Sequence, residues 1–265
     1  MAIQRDFAQV NGTRLYFETA GTGLPIILLH GHACDTRMWD DQFETFALSY
    51  QVIRYDQRGF GQSAVPTDEP FRHIDDLQAL LEYLGIPHAA ILGMSMGGGV
   101  AIDFALAYPE MTRTLIVVDS APSGFEIPEL DTWFATYVAD AQANGPKVAN
   151  QHILSIPVIR ADMAIPNVAR RVEQMHLEYS GWYLLNKDPS YGLESPALQQ
   201  LDRISVPTLL VVGEDDYHSF LEAADLMLKK IPHVQKVVIP KAGHFSNMCE
   251  PQRFNAAVLD FLKMV

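Results

Sequence analysis

Ala90-Ile91-Leu92-Gly93-Met94-Ser95-Met96-Gly97-Gly98-Gly99-Val100-Ala101 is the stretch whose reading decides the fold. A short apolar run, a serine fenced by glycines and an alanine-rich run of helical character follow one another without a break. They read as strand, sharp turn and helix, with Gly93-x-Ser95-x-Gly97 at the turn. A serine on so tight a turn has a strained backbone, and its neighbours two positions away must lack Cβ atoms. The turn sets Oγ of Ser95 at the C-terminal edge of a sheet. It also aims a helix N-terminus, with free N–H groups and a positive dipole end, at the same spot. Three fixed positions in five recur by chance, so the weight falls on the flanking elements and on partners downstream.

Working outward, Phe7–Val10, Asn11-Gly12 and Thr13–Thr19 spell a β-hairpin with an Asn-Gly turn. Pro25–Leu29 is a continuous apolar run of the kind buried on both faces of a sheet, and another buried strand is expected at Gln51–Tyr55. A helix is expected over Met38–Leu48. Another is expected over Phe71–Leu84, where Ile74, Leu77, Leu80, Leu81 and Leu84 recur at helical spacing before Gly85 and Pro87. After the elbow helix comes a strand at Thr114–Asp119. Strands alternating with helices give an α/β class: a mostly parallel twisted sheet with helices on both faces.

That rhythm breaks after Ala121 and resumes near Val206. Residues 122–198 show no convincing buried strand and are interrupted by Pro146, Pro157, Pro166, Pro189 and Pro196. Trp133, Phe134, Tyr137 and Ala141 fall on one side of a helix, and so do Val168, Val172, Met175, Tyr179 and Trp182. Residues 122–198 are therefore expected to form a helical cap inserted into a core built from 1–121 and 199–265. The core closes with a strand at Val206–Val212, a helix at Phe220–Lys230, a strand at Lys236–Ile239 and a helix at Gln252–Lys263.

The chain of 265 residues carries a formal net charge of −13, which argues against nucleic acid and anionic membrane surfaces as partners. The N-terminus lacks the apolar core of a secretory signal, and the apolar runs are too short to span a bilayer. Cys34 and Cys249 are too few for a disulfide framework. A cytoplasmic protein with both thiols reduced is the expectation. Oligomeric state is not written in the sequence.

A serine hydroxyl needs a base, and the base needs an acid to orient it. His244, in Lys241-Ala242-Gly243-His244-Phe245, lies on the loop leaving the last strand, at the same sheet edge as Ser95. Asp216, in Gly213-Glu214-Asp215-Asp216, lies on the loop leaving the preceding strand. His30-x-His32 with Asp35 superficially resembles a metal site, but no second cluster with ligand spacing supports one. Asp75-Asp76 reads as a solvated or capping pair, and Asp56 with Arg58 as a brace for their loop.

Five motifs carry a resemblance to the α/β-hydrolase superfamily over the whole chain apart from the insertion. They are His30-Gly31, Asp56-x-Arg58-Gly59-x-Gly61-x-Ser63, Gly93-x-Ser95-x-Gly97-Gly98, Gly213-x-x-Asp216 and Gly243-His244. The resemblance implies an acid three residues after the glycine, hence Asp216 over Asp215. It also implies an oxyanion hole from the main-chain N–H groups of His32 and Met96, with Asp119 as the alternative acid that some members use. The expected activity is hydrolysis of a small carboxylic ester or lactone through an acyl-enzyme, without metal or organic cofactor. Hydrolases of carbon–carbon bonds in ring-cleavage products, and cofactor-free perhydrolases or haloperoxidases, share these motifs. The former often carry Trp after the histidine, where this chain has Phe245, and the latter a Pro near the His-Gly pair, which is missing here. A slow-turnover small-molecule receptor on the same fold is the reading from a different class.

Overall fold

The computed structural model describes residues 2–265. The strands are β1 (Gln4–Val10), β2 (Thr13–Ala20), β3 (Pro25–Leu29), β4 (Gln51–Tyr55), β5 (Ala89–Met94), β6 (Thr112–Val118), β7 (Thr208–Gly213) and β8 (Val234–Ile239). They form one eight-stranded sheet in the order β1-β2-β4-β3-β5-β6-β7-β8. β2 runs antiparallel to β1 and β4, and the pairs from β4 through β8 are parallel. Asn11 and Gly12 both have positive φ, as the hairpin's two-residue turn demands.

In chain order the helices are α1 (Asp40–Phe46), α2 (His73–Tyr83), α3 (Met96–Ala107), α4 (Pro128–Asn144), α5 (Pro146–His152), α6 (Arg160–Met163), α7 (Pro166–Glu178), α8 (Trp182–Leu185), α9 (His218–Lys230), α10 (Ser246–Cys249) and α11 (Pro251–Met264). The apolar runs of the central strands are continuous because both faces of the sheet are covered. Ile26 and Leu28 of β3 join Leu92, Phe43, Phe46, Phe254 and Val258 on one face. Ile27 and Leu29 join Ile91, Leu77, Leu81, Ile102 and Phe104 on the other. One residue of slip would exchange these two sets, so register is strongly specified.

Between β6 and β7 the chain forms α4 to α8 and short 3-10 turns, with an isolated bridge from Ser190 to Phe71. A third cluster, holding Tyr137, Tyr179 and Leu184 with Ala33 and Phe60, fastens these helices to the loops above the sheet. Among the described residues no helix is long and apolar enough to cross a membrane.

Three local expectations need correction. Tyr179 caps the end of α7 and Trp182 opens α8, so they do not share a face with Val168, Val172 and Met175; Gly181, at positive φ, turns the chain between them. The helix expected from Met38 begins as a 3-10 turn at Thr36–Trp39, where the Asp35 side chain accepts the Arg37 N–H. Asp76 is neither solvated nor a cap. It is buried and takes two bonds from the Arg58 guanidinium, at 2.9 and 2.6 Å. Asp56 and Arg58 do brace their loop: Asp56 accepts the main-chain N–H of Thr36 and Gln62, and Arg58 also reaches the Asn11 carbonyl.

Candidate active site

Ser95 sits between the last residue of β5 and the first of α3 with φ 52° and ψ −118°, a conformation that costs about 1–3 kcal/mol in a non-glycine residue. The surroundings enforce it. The Ser95 N–H donates to the Val118 carbonyl at 2.9 Å, and the Ser95 carbonyl accepts from Gly99 N–H at 3.1 Å and from the Ser120 hydroxyl at 2.6 Å. A Cβ on Gly93 would run into the Gly97 carbonyl, and one on Gly97 into the carbonyls of Leu29 and His30. The glycines are there because main chain passes directly over them. Since Gly99 makes the first bond of the helix, the N–H groups of Met96, Gly97 and Gly98 precede it.

His244 follows β8 and points back at the elbow. Its Nε2 lies 3.0 Å from Ser95 Oγ, and its Nδ1 lies 3.0 and 3.3 Å from the two carboxylate oxygens of Asp216. In the neutral imidazole, Nδ1–H donates to Asp216 and the Nε2 lone pair is left facing the serine hydroxyl. Asp216 is fixed in turn, since its Oδ1 accepts the Tyr217 N–H at 2.7 Å. Burial by itself would lower the His244 pKa. The charge and hydrogen bond of Asp216, with the charges of Asp119 and Asp162 behind it, outweigh that and push it up to about 9. Phe220 of α9 packs against the imidazole with ring centroids 4.5 Å apart.

Asp119 takes no part in that contact. Its Oδ1 accepts the Gly213 N–H at 2.8 Å, and its Oδ2 accepts the N–H and hydroxyl of Ser246. Burial and the nearby Asp216 charge raise its pKa well above the usual carboxylate range. Asp216, and not Asp119, is the carboxylate beside the imidazole.

His30 has both ring nitrogens engaged by its own surroundings. Nε2 accepts the Gln57 N–H at 2.9 Å, so Nδ1 carries the proton and donates to the Gly31 carbonyl at 2.8 Å. The Asp35 carboxylate is taken by Arg37. His32 sends its ring elsewhere, into a box of Phe60, Phe134, Tyr137 and Tyr179. Burial, helped by the charges of His176 and His30, lowers its pKa to about 3, so it stays neutral.

Ser95, His244, Met96 and His32 open on a cavity of about 720 Å³ between the sheet edge and the helices that follow β6. Its wall is mainly apolar, with Ile127, Leu130, Trp133, Val158, Ile159 and Phe220 prominent. Burial holds His176, on α7, at a pKa of about 4, a second neutral imidazole in the lining. Among the described residues no Lys or Arg lines this cavity, whereas Asp103 and Asp131 do. Burial raises Asp103 to about 6, against the Ser123 hydroxyl that bonds it.

Several of these contributors carry no signal in the sequence. Phe220 and His176 fall on unremarkable amphipathic helices. Asp162, which accepts the main-chain N–H of His244, sits in a stretch without any motif. Only the folded arrangement brings them to the site.

Comparison with known proteins agrees with this architecture. A model of the alpha/beta hydrolase fold family matches residues 25–251. The chain is 29% identical to 3-oxoadipate enol-lactonase 2 of Acinetobacter baylyi, over 98% of this chain and 97% of that one. It is 27% identical to 2-hydroxy-6-oxo-6-(2'-aminophenyl)hexa-2,4-dienoic acid hydrolase of Metapseudomonas resinovorans, over 97% of this chain and 90% of the relative. The solved structure of a thermophilic esterase from Thermogutta terrifontis superposes with a TM-score of 0.84 at 30% identity, covering 98% of each chain. The chain belongs to the α/β-hydrolase fold family.

Proposed function

We propose that this α/β-hydrolase is a serine carboxylic-ester hydrolase for small, uncharged, apolar esters or lactones. Ser95 attacks the carbonyl carbon while His244 Nε2 accepts its proton, and Asp216 orients and stabilises the resulting imidazolium. The tetrahedral oxyanion is held by the main-chain N–H of Met96 and His32, each donor typically worth ~3 kcal/mol of transition-state stabilisation. His244 then protonates the leaving alcohol, or the ring oxygen of a lactone, and C–O cleavage leaves an acyl-Ser95. A water deprotonated by the same imidazole attacks the acyl carbon and releases the acid. Every proton in this cycle passes through His244, and the helices after β6 keep bulk water from the carbonyl.

The observation that carries the reading is the 3.0 Å contact between Ser95 Oγ and His244 Nε2, opening on a cavity of about 720 Å³. That volume suits a small molecule. Two relatives are named for a dienoic acid and for an oxoadipate lactone, substrates that bear carboxylates. A carboxylate in this cavity would face Asp103 and Asp131 with no Lys or Arg side chain to receive it. Uncharged esters are favoured for that reason over ring-cleavage acids.

A fluorophosphonate probe, run beside steady-state hydrolysis of p-nitrophenyl butyrate, a neutral lactone and a vinylogous diketone acid, tests the reading. Labelling of the native protein but not of Ser95→Ala is expected, with multiple turnovers on the neutral substrates and little on the acid. Preferential turnover of the acid overturns the substrate class. A single sluggish turnover with retained product replaces the enzyme with a receptor.

A further inference from the structure

The loop that carries His244 is held by a residue from the segment between β6 and β7. Asp162, on the four-residue helix α6, is fully buried, and among the described residues no cationic side chain pairs with its carboxylate. Its Oδ2 accepts the main-chain N–H of His244 at 3.0 Å, and its Oδ1 accepts the N–H of Phe245 at 2.8 Å and the Cys249 thiol at 3.1 Å. All three donors lie on or just beyond the histidine loop. A buried carboxylate is tolerated only where donors replace its hydration, so these bonds are a condition of Asp162 being there at all. The residue before the histidine is shaped to the same contact: a Cβ on Gly243 would stand 2.6 Å from Asp162 Oδ2.

We infer that Asp162 is a positioning residue for His244, through which the helices between β6 and β7 set the place and orientation of the proposed base. This rests on the reading of His244 as that base. Two main-chain N–H groups gripped by one carboxylate fix the peptide plane from which the imidazole springs, leaving Asp216 to fix the rotation of the ring. The grip also reaches the substrate. Val158 and Ile159, just before α6, line the cavity, so a ligand pressing on them presses on the segment that holds the histidine loop. In addition, the Asp162 charge is one of the three that hold the imidazole on its protonated side.

Asp162→Asn and Gly243→Ala separate positioning from simple support. The asparagine keeps the shape but offers one acceptor oxygen, so an N–H of His244 or Phe245 meets an amide instead. For Asp162→Asn, kcat on p-nitrophenyl butyrate is expected to fall about 10- to 100-fold with KM nearly unchanged, the scale of a small misplacement of a reacting group. With one negative charge gone, the rising limb of the kcat/KM pH profile is expected to move to lower pH. Gly243→Ala displaces the carboxylate but keeps its charge, so kcat should fall with less movement of that limb than Asp162→Asn produces. A folded Asp162→Asn protein with kcat within twofold and an unmoved limb overturns the inference, as does a loss confined to melting temperature. Should the asparagine variant fail to fold, Gly243→Ala decides: an unchanged kcat overturns the inference and a lowered one supports it. Ser95→Ala, run alongside, separates the two readings, since activity surviving in that variant rejects the serine mechanism itself and not the role of Asp162.

Discussion

The elbow that presents Ser95 and the loop that presents His244 meet at 3.0 Å, yet they are held by opposite means. The elbow is nearly self-contained. Gly93 and Gly97 leave room for main chain, and Ser95 is tied through its own N–H and carbonyl to Val118, Gly99 and Ser120. The histidine loop relies on carboxylates from three other segments. Asp216 takes the imidazole, Asp119 takes Ser246, and Asp162 takes the N–H groups of His244 and Phe245. Ser95, the proposed nucleophile, is therefore placed by backbone shape and His244, the proposed base, by charge, so substitutions and pH should act on them differently.

The largest effects should come from the reacting groups. Ser95→Ala is expected to reduce kcat/KM on p-nitrophenyl butyrate by roughly 10³-fold or more, with the fold unchanged by circular dichroism. Asp216→Asn should cost about 10⁴-fold in kcat by favouring the wrong imidazole tautomer. Asp119→Asn, which leaves the imidazole contact alone, should remain within about tenfold, on the reasoning that only truncated reacting groups carry the large terms. The reverse ranking in the same assay would transfer the role of acid to Asp119 and break the contrast between elbow and loop.

A pH series sharpens the contrast next. His244 is raised from 6.5 to about 9, so its protonated form is favoured over the proton-accepting form at neutral pH. The kcat/KM is expected to climb with pH toward a plateau above about 9, and Asp216→Asn should move the climb to lower pH. The stability linkage has the matching sign. A raised pKa favours the folded state fully below 6.5, and that contribution is lost as pH rises through about 9. Melting temperature should therefore fall between neutral and alkaline pH in the native protein, and fall less in Asp216→Asn. An activity profile flat from about pH 6 to 9 would show the imidazole to be neutral throughout, against the about 9 expected.

The smallest effects come from a matched pair. Ser120→Ala and Ser246→Ala each remove a hydroxyl donor, to the Ser95 carbonyl and to Asp119 respectively, at about 1 kcal/mol of stability each by chemical denaturation. Only Ser246→Ala should also slow turnover, by a few-fold, because the base loop depends on its side chains and the elbow does not. Equal kinetic effects from the two would erase the distinction.

The same distinction explains what the sequence makes legible. The sheet is legible from β3, β5 and β7, whose apolar runs are continuous because both faces are buried. The elbow is legible because its determinants are contiguous: the glycines that make room for Ser95 are its sequence neighbours. Ser95, His244 and Asp216 all leave the C-terminal ends of strands, so topology alone brings them to one edge. Asp162 is illegible because two of its three partners are main-chain N–H groups, and any residue type supplies those. Asp76 misleads for a related reason, since its partner Arg58 comes from a loop distant in sequence and nothing in the Asp75-Asp76 pair announces burial. The helices after β6 are the hardest, because there Pro and Gly cut short amphipathic pieces whose partners are set by the loops they cover.

The order in which strands join the sheet has a consequence for synthesis. From β6 outward, β7 and β8 add to the edge in chain order, with Asp216 following the first and His244 the second. A polypeptide emerging from the ribosome N-terminus first can complete the turn around Ser95 while the imidazole is still untranslated. On the proposed mechanism the nascent protein thus holds an unprimed hydroxyl throughout elongation, and reactivity toward esters should begin only when the final strand docks. A ribosome-stalled chain ending before Val234 should accordingly be inert to organophosphate labelling, however well its first seven strands are formed.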